Sequence, residues 1–138
     1  MAMTYEKALG LAGVSVPEHL EAEAQVPVLT VPQAQGDLLI IPAARDWPDG
    51  GVVPDGGVQV VHGEATGNTH WLHRGFASPG VAWHRADEGQ VVGVVTVPDG
   101  ESALLIHTDE HGANGIGPGR HEIRRKREMA DEIRMVAD

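Results

Sequence analysis

The sequence contains no cysteine. That excludes disulfides, thiolate metal sites and a cysteine nucleophile, so any bound metal must take its ligands from His, Asp, Glu or water. Aromatic residues are scarce, with one Phe, one Tyr and three Trp in 138 residues, so the core is built mostly from Val, Leu, Ile and Ala. No apolar run approaches membrane-spanning length. Basic residues are half as numerous as acidic ones, 10 against 20, for a formal net charge of −10. An acidic surface disfavours nucleic acid and anionic membrane, because phosphate contacts supply most of that affinity. The first residues lack a basic start and a long apolar stretch, which reads as no secretory signal and a cytoplasmic protein.

What the chain does have is turns. Gly 18 and Pro 9 make about a fifth of it, a level that fits short strands joined by tight turns. The length fits one domain. Residues 1–25 read as a helical arm. A short helix is expected over 4–13 and a second from about 17 to 25, started by Ser15, Pro17 and Glu18 as cap, first-turn proline and capping-box acid. Residues 26–127 read as a β core. Strands are expected at Val26–Val31, held to a sheet edge by Pro27 and Pro32; at Asp37–Pro42, apolar on both faces; and at Val58–His62, Thr69–His73, Val81–His84, Val91–Val97, Ala103–His107 and Arg120 to about Arg127. Residues 43–57 and 112–119 read as loops. Pro48-Asp49-Gly50, Pro54-Asp55-Gly56 and Pro98-Asp99-Gly100 read as turns with proline at the second position. Residues 128–138 place Met129, Ile133 and Val136 on one face of a terminal helix. The expected fold is mainly β: a small β-barrel or β-sandwich, jelly-roll or cupin-like by analogy, with short N- and C-terminal helices. No helical crossovers separate the strands, so an α/β fold is not expected.

Seven of the eight histidines fall between His62 and His84 or between His107 and His121; only His19 lies outside. The two stretches echo each other. Val53-Pro-Asp-Gly leads through an apolar strand to His62 and Glu64. Val97-Pro-Asp-Gly leads through another to His107, Asp109 and Glu110. The repeat, 53–68 against 97–115, predicts two equivalent hairpins facing one another across a pseudo-twofold axis, with His62 and His107 at one mouth.

Residues two apart on a strand share a face. His62 therefore goes with Glu64, and His107 with Asp109, with Leu105 below them in the core. His70 and His73 fall on opposite faces, so at most one of them joins a common site. His62, Glu64, His70, His107 and His111 are the candidate metal ligands. Glu64, Asp109 and Glu110 are the candidates for a general base or for orienting a ligand. Imidazole with carboxylate suits a divalent transition metal: zinc, iron, nickel or manganese. If the metal is catalytic, hydrolysis or an oxygenase-type reaction is expected. The nearest architectural analogy is the cupin arrangement of two His/Glu hairpins, whose H-x-H spacing this chain lacks.

Three segments carry a resemblance. Gly63-Glu-Ala-Thr-Gly-Asn-Thr-His70, His107-Thr-Asp-Glu-His-Gly112 and Pro118-Gly-Arg-His121 together resemble small uncharacterised bacterial proteins with a G-E-x-T-G-x-x-H … H-x-x-E-H-G … P-G-x pattern. The resemblance spans 62–128. It implies that these polar positions belong together and implies no activity.

The rival reading is a self-assembling or protein-interaction module whose histidines form a structural polar cluster, as a homo-oligomer or with a protein partner. It rests on the edge prolines, the terminal helix and the basic run Arg120, Arg124, Arg125, Lys126 and Arg127 on an acidic chain. That run reads first as a strand face meeting acidic neighbours. A small-molecule ligand is the third reading, from Trp47, Trp71 and Trp83 near loops.

Overall fold

The computed structural model describes residues 3–11, 13, 25–61, 69–107 and 112–126. Among these the chain is mainly β. One short helix, α1 (Tyr5–Leu11), precedes eleven strands. In chain order they are β1 (Val28–Leu29), β2 (Gln33–Gln35), β3 (Leu38–Pro42), β4 (Gly51–Val52), β5 (Val58–Val61), β6 (His70–Arg74), β7 (Ala82–Glu88), β8 (Val91–Val97), β9 (Ala103–His107), β10 (Ala113–Ile116) and β11 (Gly119–Arg125).

They form two sheets. Sheet one has the order β1-β10-β9-β6-β5, and sheet two the order β2-β3-β11-β8-β7-β4. The main core lies between them. Val60, Leu72, Ala103, Leu105 and Ile116 of sheet one pack with Leu38, Ile40, Val92, Val95 and Ile123 of sheet two. Alternation, with a bulge at Val92 that brings it to the same face as Val95, puts these residues on facing sides, the arrangement of a β-sandwich. Sheet one is covered on its other face as well. There Leu104, Ile106 and Ala113 pack under Ala8 and Leu9 of α1 and Val26. Every residue of β9 is therefore buried, which is why Ala103–His107 carries an unbroken apolar run up to its histidine.

The closed barrel expected as an alternative does not form. Each sheet keeps two edges among the described residues. The edges β1 and β4 are two residues long, and the first of them lies between Pro27 and Pro32, which lack the N–H to extend a ladder. β3 also differs from expectation. Leu38 and Ile40 are buried, but Leu39 and Ile41 are only half-buried; among the described residues no layer covers the outer face of sheet two there. The stretch 112–119, read as a loop, contains β10. It is wedged between β9 and β1, and a Cβ on Gly115 would stand 2.4 Å from the Pro27 carbonyl oxygen. Glycine is required there because the β1 backbone comes that close. Likewise 33–35, left unassigned between two expected strands, and 51–52, inside the expected 43–57 loop, are edge strands too short to show period-two patterning.

The strands of the two echoed stretches do not face one another. β5 and β6 are antiparallel, as are β6 and β9, and β9 and β10. The two hairpins therefore lie side by side in sheet one, related by a shift of two strands, rather than face to face. The turns before them close from Gly57 N–H to the Pro54 carbonyl and from Glu101 N–H to the Pro98 carbonyl. Proline is thus the first residue of each turn, not the second. Pro48-Asp49-Gly50 forms no such turn; Asp49 pairs instead with Arg120. The expected helices over 17–25 and 128–138 lie outside the described residues, except for Gln25, which forms an antiparallel bridge with Thr4.

Candidate functional site

His70 opens β6 and His107 ends β9, and the two are register partners. Val61, the last residue of β5, is the register partner of His70 on its other side. Val61, His70 and His107 thus form one row across three strands at one end of sheet one. In sequence, 62–68 follows Val61 and 108–111 follows His107, both residues of this row. These two segments carry His62, Glu64, Asp109, Glu110 and His111, which lie outside the described residues.

His70 shares its face with Leu72, and His107 with Leu105. Both leucines belong to the main core, so both imidazoles point between the sheets. They are 4% and 2% exposed, with ring centroids 4.4 Å apart and planes tilted by 50°. His73 falls on the opposite face, opposite Leu104. That decides which of the two joins the inner site, and it is His70.

Two amides from β2 on sheet two, Gln33 and Gln35, meet the amide of Asn114 on β10 at this end of sheet one. Gln35 is 2% exposed. Its Nε2 donates to the Leu105 carbonyl at 2.6 Å and to Asn114 Oδ1 at 2.9 Å, and its Oε1 lies 2.9 Å from His70 Nδ1. Asn114 Nδ2 donates to Gln33 Oε1 at 3.0 Å and to the Ala34 carbonyl at 3.2 Å. Gln33 Nε2 donates to the Gly115 carbonyl at 2.9 Å. The sequence reading missed Gln33 and Gln35 because 33–35 was not read as a strand. The only signal was two glutamines flanking one small residue.

The remaining histidines stand apart. His121 is buried on β11 with Nε2 2.9 Å from the Gly117 carbonyl. His84 on β7 has its ring centroid 6.2 Å from that of Trp47. His73 is 2% exposed, and neither ring nitrogen has a hydrogen-bond partner among the described residues. Burial lowers its pKa from the ordinary 6.5, because a desolvated imidazolium is disfavoured. It borders a cavity of about 420 Å³ with Asp55, Arg74 and Ser78.

A second polar centre, also unforeseen, is Glu122 on β11, 1% exposed. Its Oε2 accepts from Trp47 Nε1 at 2.9 Å and from the Ala44 N–H at 3.2 Å, and its Oε1 from Arg124 Nε at 2.8 Å. Burial pushes this carboxyl up, but the bonds from Trp47, Arg124 and Ala44 outweigh it and hold the pKa below the ordinary 4.5. With Arg120 on Asp49 and Arg124 on Glu122, two residues of the basic run meet acidic neighbours. Trp47 is thereby committed to the interior. Among the described residues, no three His, Asp or Glu side chains converge to hold an ion, and no helix is long and apolar enough to cross a membrane.

Comparison with curated proteins and with solved structures finds no match. A family model described as a domain of unknown function (DUF8820) matches residues 34–126. That span includes Gln35, His70 and His107, and the chain belongs to this family.

Proposed function

We propose that the end of the sandwich at His70 and His107 is a transition-metal site. His70 and His107 supply two imidazole nitrogens, and His62, Glu64 and His111 are the candidates for the remaining ligands. Asp109 or Glu110 orients a ligand or acts as base. The donor set suits zinc, iron, nickel or manganese. Bound there, such an ion supplies Lewis-acid activation of water or of a carbonyl group. The observation that carries the reading is the buried, register-paired imidazoles, 4.4 Å apart between centroids, in the row of Val61, His70 and His107 from which both His/carboxylate stretches continue in sequence. The three-segment resemblance noted in the sequence groups the same positions.

Titration calorimetry with each of the four ions tests it. Wild type should bind about one equivalent, and His70→Ala and His107→Ala should each weaken binding by more than about tenfold. Circular dichroism confirms that the variants fold. Folded variants that bind as wild type does would sink the assignment.

A second reading has its own support. The amides of Gln33, Gln35 and Asn114 tie β2 to β9 and β10, and a hydrogen-bonded polar cluster of this kind braces a structure without any ion. In that reading the protein acts through association, with Val28, Leu29 and Val31 exposed along the β1 edge as the apolar surface. Light scattering separates the two. A salt-independent monomer argues against association.

A further inference from the structure

We infer that Gln35 is the positioning residue of this site, and that it fixes the His70 imidazole with its proton on Nδ1 and its lone pair on Nε2. The inference follows from groups that have no choice of role. The carbonyls of Leu105, Ala34 and Gly115 can only accept. The Leu105 carbonyl, 2.6 Å from Gln35 Nε2, sets which end of that amide is nitrogen. The Ala34 carbonyl, 3.2 Å from Asn114 Nδ2, sets the Asn114 amide, which turns its Oδ1 toward the same Gln35 nitrogen at 2.9 Å. Two independent backbone anchors therefore agree on one orientation of Gln35. Its other end is an oxygen, 2.9 Å from His70 Nδ1. An amide oxygen only accepts, so the ring nitrogen must donate. A neutral imidazole has one proton to place, and Nε2 is left with the lone pair.

Burial makes this a lock. Gln35 is 2% exposed and His70 4%, so water cannot replace the amide as partner. Turning Gln35 over would set its nitrogen against Nδ1 and its oxygen against two acceptors. The opposite tautomer would set a ring lone pair against Oε1. Free histidine in water prefers that opposite tautomer, so the protein imposes the rarer one. A ligating histidine whose second nitrogen is held by an outer partner has its ring orientation and tautomer set before the metal arrives. Gln35 supplies that partner from the opposite sheet, as a neutral group that adds orientation without charge. The tautomer stands on the hydrogen bonds alone. Its use, presenting Nε2 to a divalent transition ion, rests on the metal reading above.

The test is long-range nitrogen–proton NMR on uniformly 15N-labelled, metal-free protein at neutral pH, with zinc affinity measured on the same samples. Wild type should show His70 protonated on Nδ1. Gln35→Leu should shift His70 toward the Nε2-protonated form and weaken zinc binding roughly ten- to a hundredfold. Gln33→Leu is the control. It breaks the same amide network at the Gly115 and Asn114 bonds but leaves the His70 contact, so a merely structural role predicts that both variants behave alike. Positioning predicts that the control keeps the wild-type tautomer and affinity. A wild-type His70 protonated on Nε2 overturns the inference, and this readout stands even if Gln35→Leu does not fold. So does an unchanged tautomer in folded Gln35→Leu. The expected tautomers with no zinc bound by wild type would uphold the lock and overturn the metal reading.

Discussion

A buried imidazole with neither nitrogen hydrogen-bonded among the described residues is a cost the fold carries at His73. Such groups cost about 1–3 kcal/mol each in lost hydration. Because burial depresses the folded pKa below 6.5, the unfolded chain binds this proton more readily than the folded one does. The contribution of His73 to stability is therefore full above 6.5 and is lost as pH falls below that value toward the folded pKa. His73→Leu removes the unbonded atoms and the titration together. It should unfold within about 1 kcal/mol of wild type at pH 7.5 and show a shallower loss of melting temperature between pH 6.5 and 5. A steeper acid loss in the variant contradicts this. Gly57 stands against the same ring. Its φ is +80°, and an added Cβ would meet His73 Cε1 at 2.7 Å. Gly57→Ala should cost about 1–3 kcal/mol in denaturant unfolding, while Gly51→Ala, with nothing within 4 Å of its Cβ, should stay within about 1 kcal/mol. Equal effects would remove the ring contact as the cause. At this scale the sequence was legible where period two applied. The rule that His70 and His73 oppose each other was enough to exclude one of them. It could not say which, because the direction depends on Leu72 and Leu105 facing the other sheet.

Elements were legible where they are long and apolar. Val91–Val97 and Ala103–His107 are strands with the bounds the pattern predicts, since each is buried along most of its length. They were illegible where pairing, rather than patterning, makes the strand. β10 is held by β9 and β1, and its glycines look like loop. The 43–50 connection is ordered by a partner the sequence does not announce, Glu122, which binds Trp47 and the Ala44 N–H. Glu122→Gln keeps the shape and removes the charge. It should lower stability by about 1–3 kcal/mol at pH 7, with altered Trp fluorescence in the native state. The wild-type carboxylate titrates below 4.5 when folded, so its contribution is present above 4.5 and lost as pH falls through the lower folded value. The variant should lack that acid limb. A variant as stable as wild type at pH 7 would make the Glu122 bonds dispensable.

For the whole molecule, two sheets and a pair of side-by-side hairpins bring the imidazoles of His70 and His107 together at one end of the core. The sequence aligns the two His/carboxylate stretches with each other. It did not show that they share a sheet, because strand order follows from long-range pairing. Nor did it show the amides from β2, whose role exists only across the gap between sheets. If an ion binds here, it binds the folded chain, and zinc at about a hundred times its dissociation constant should raise the unfolding free energy by about 2.7 kcal/mol. Wild type should melt several degrees higher with zinc, and His107→Ala should not. The most direct measurement is metal content by elemental mass spectrometry on untagged protein purified without chelator. The metal reading predicts about one equivalent of zinc, iron, nickel or manganese per chain. Protein that stays metal-free after incubation with each ion would contradict it and leave the histidines as a polar brace between the sheets.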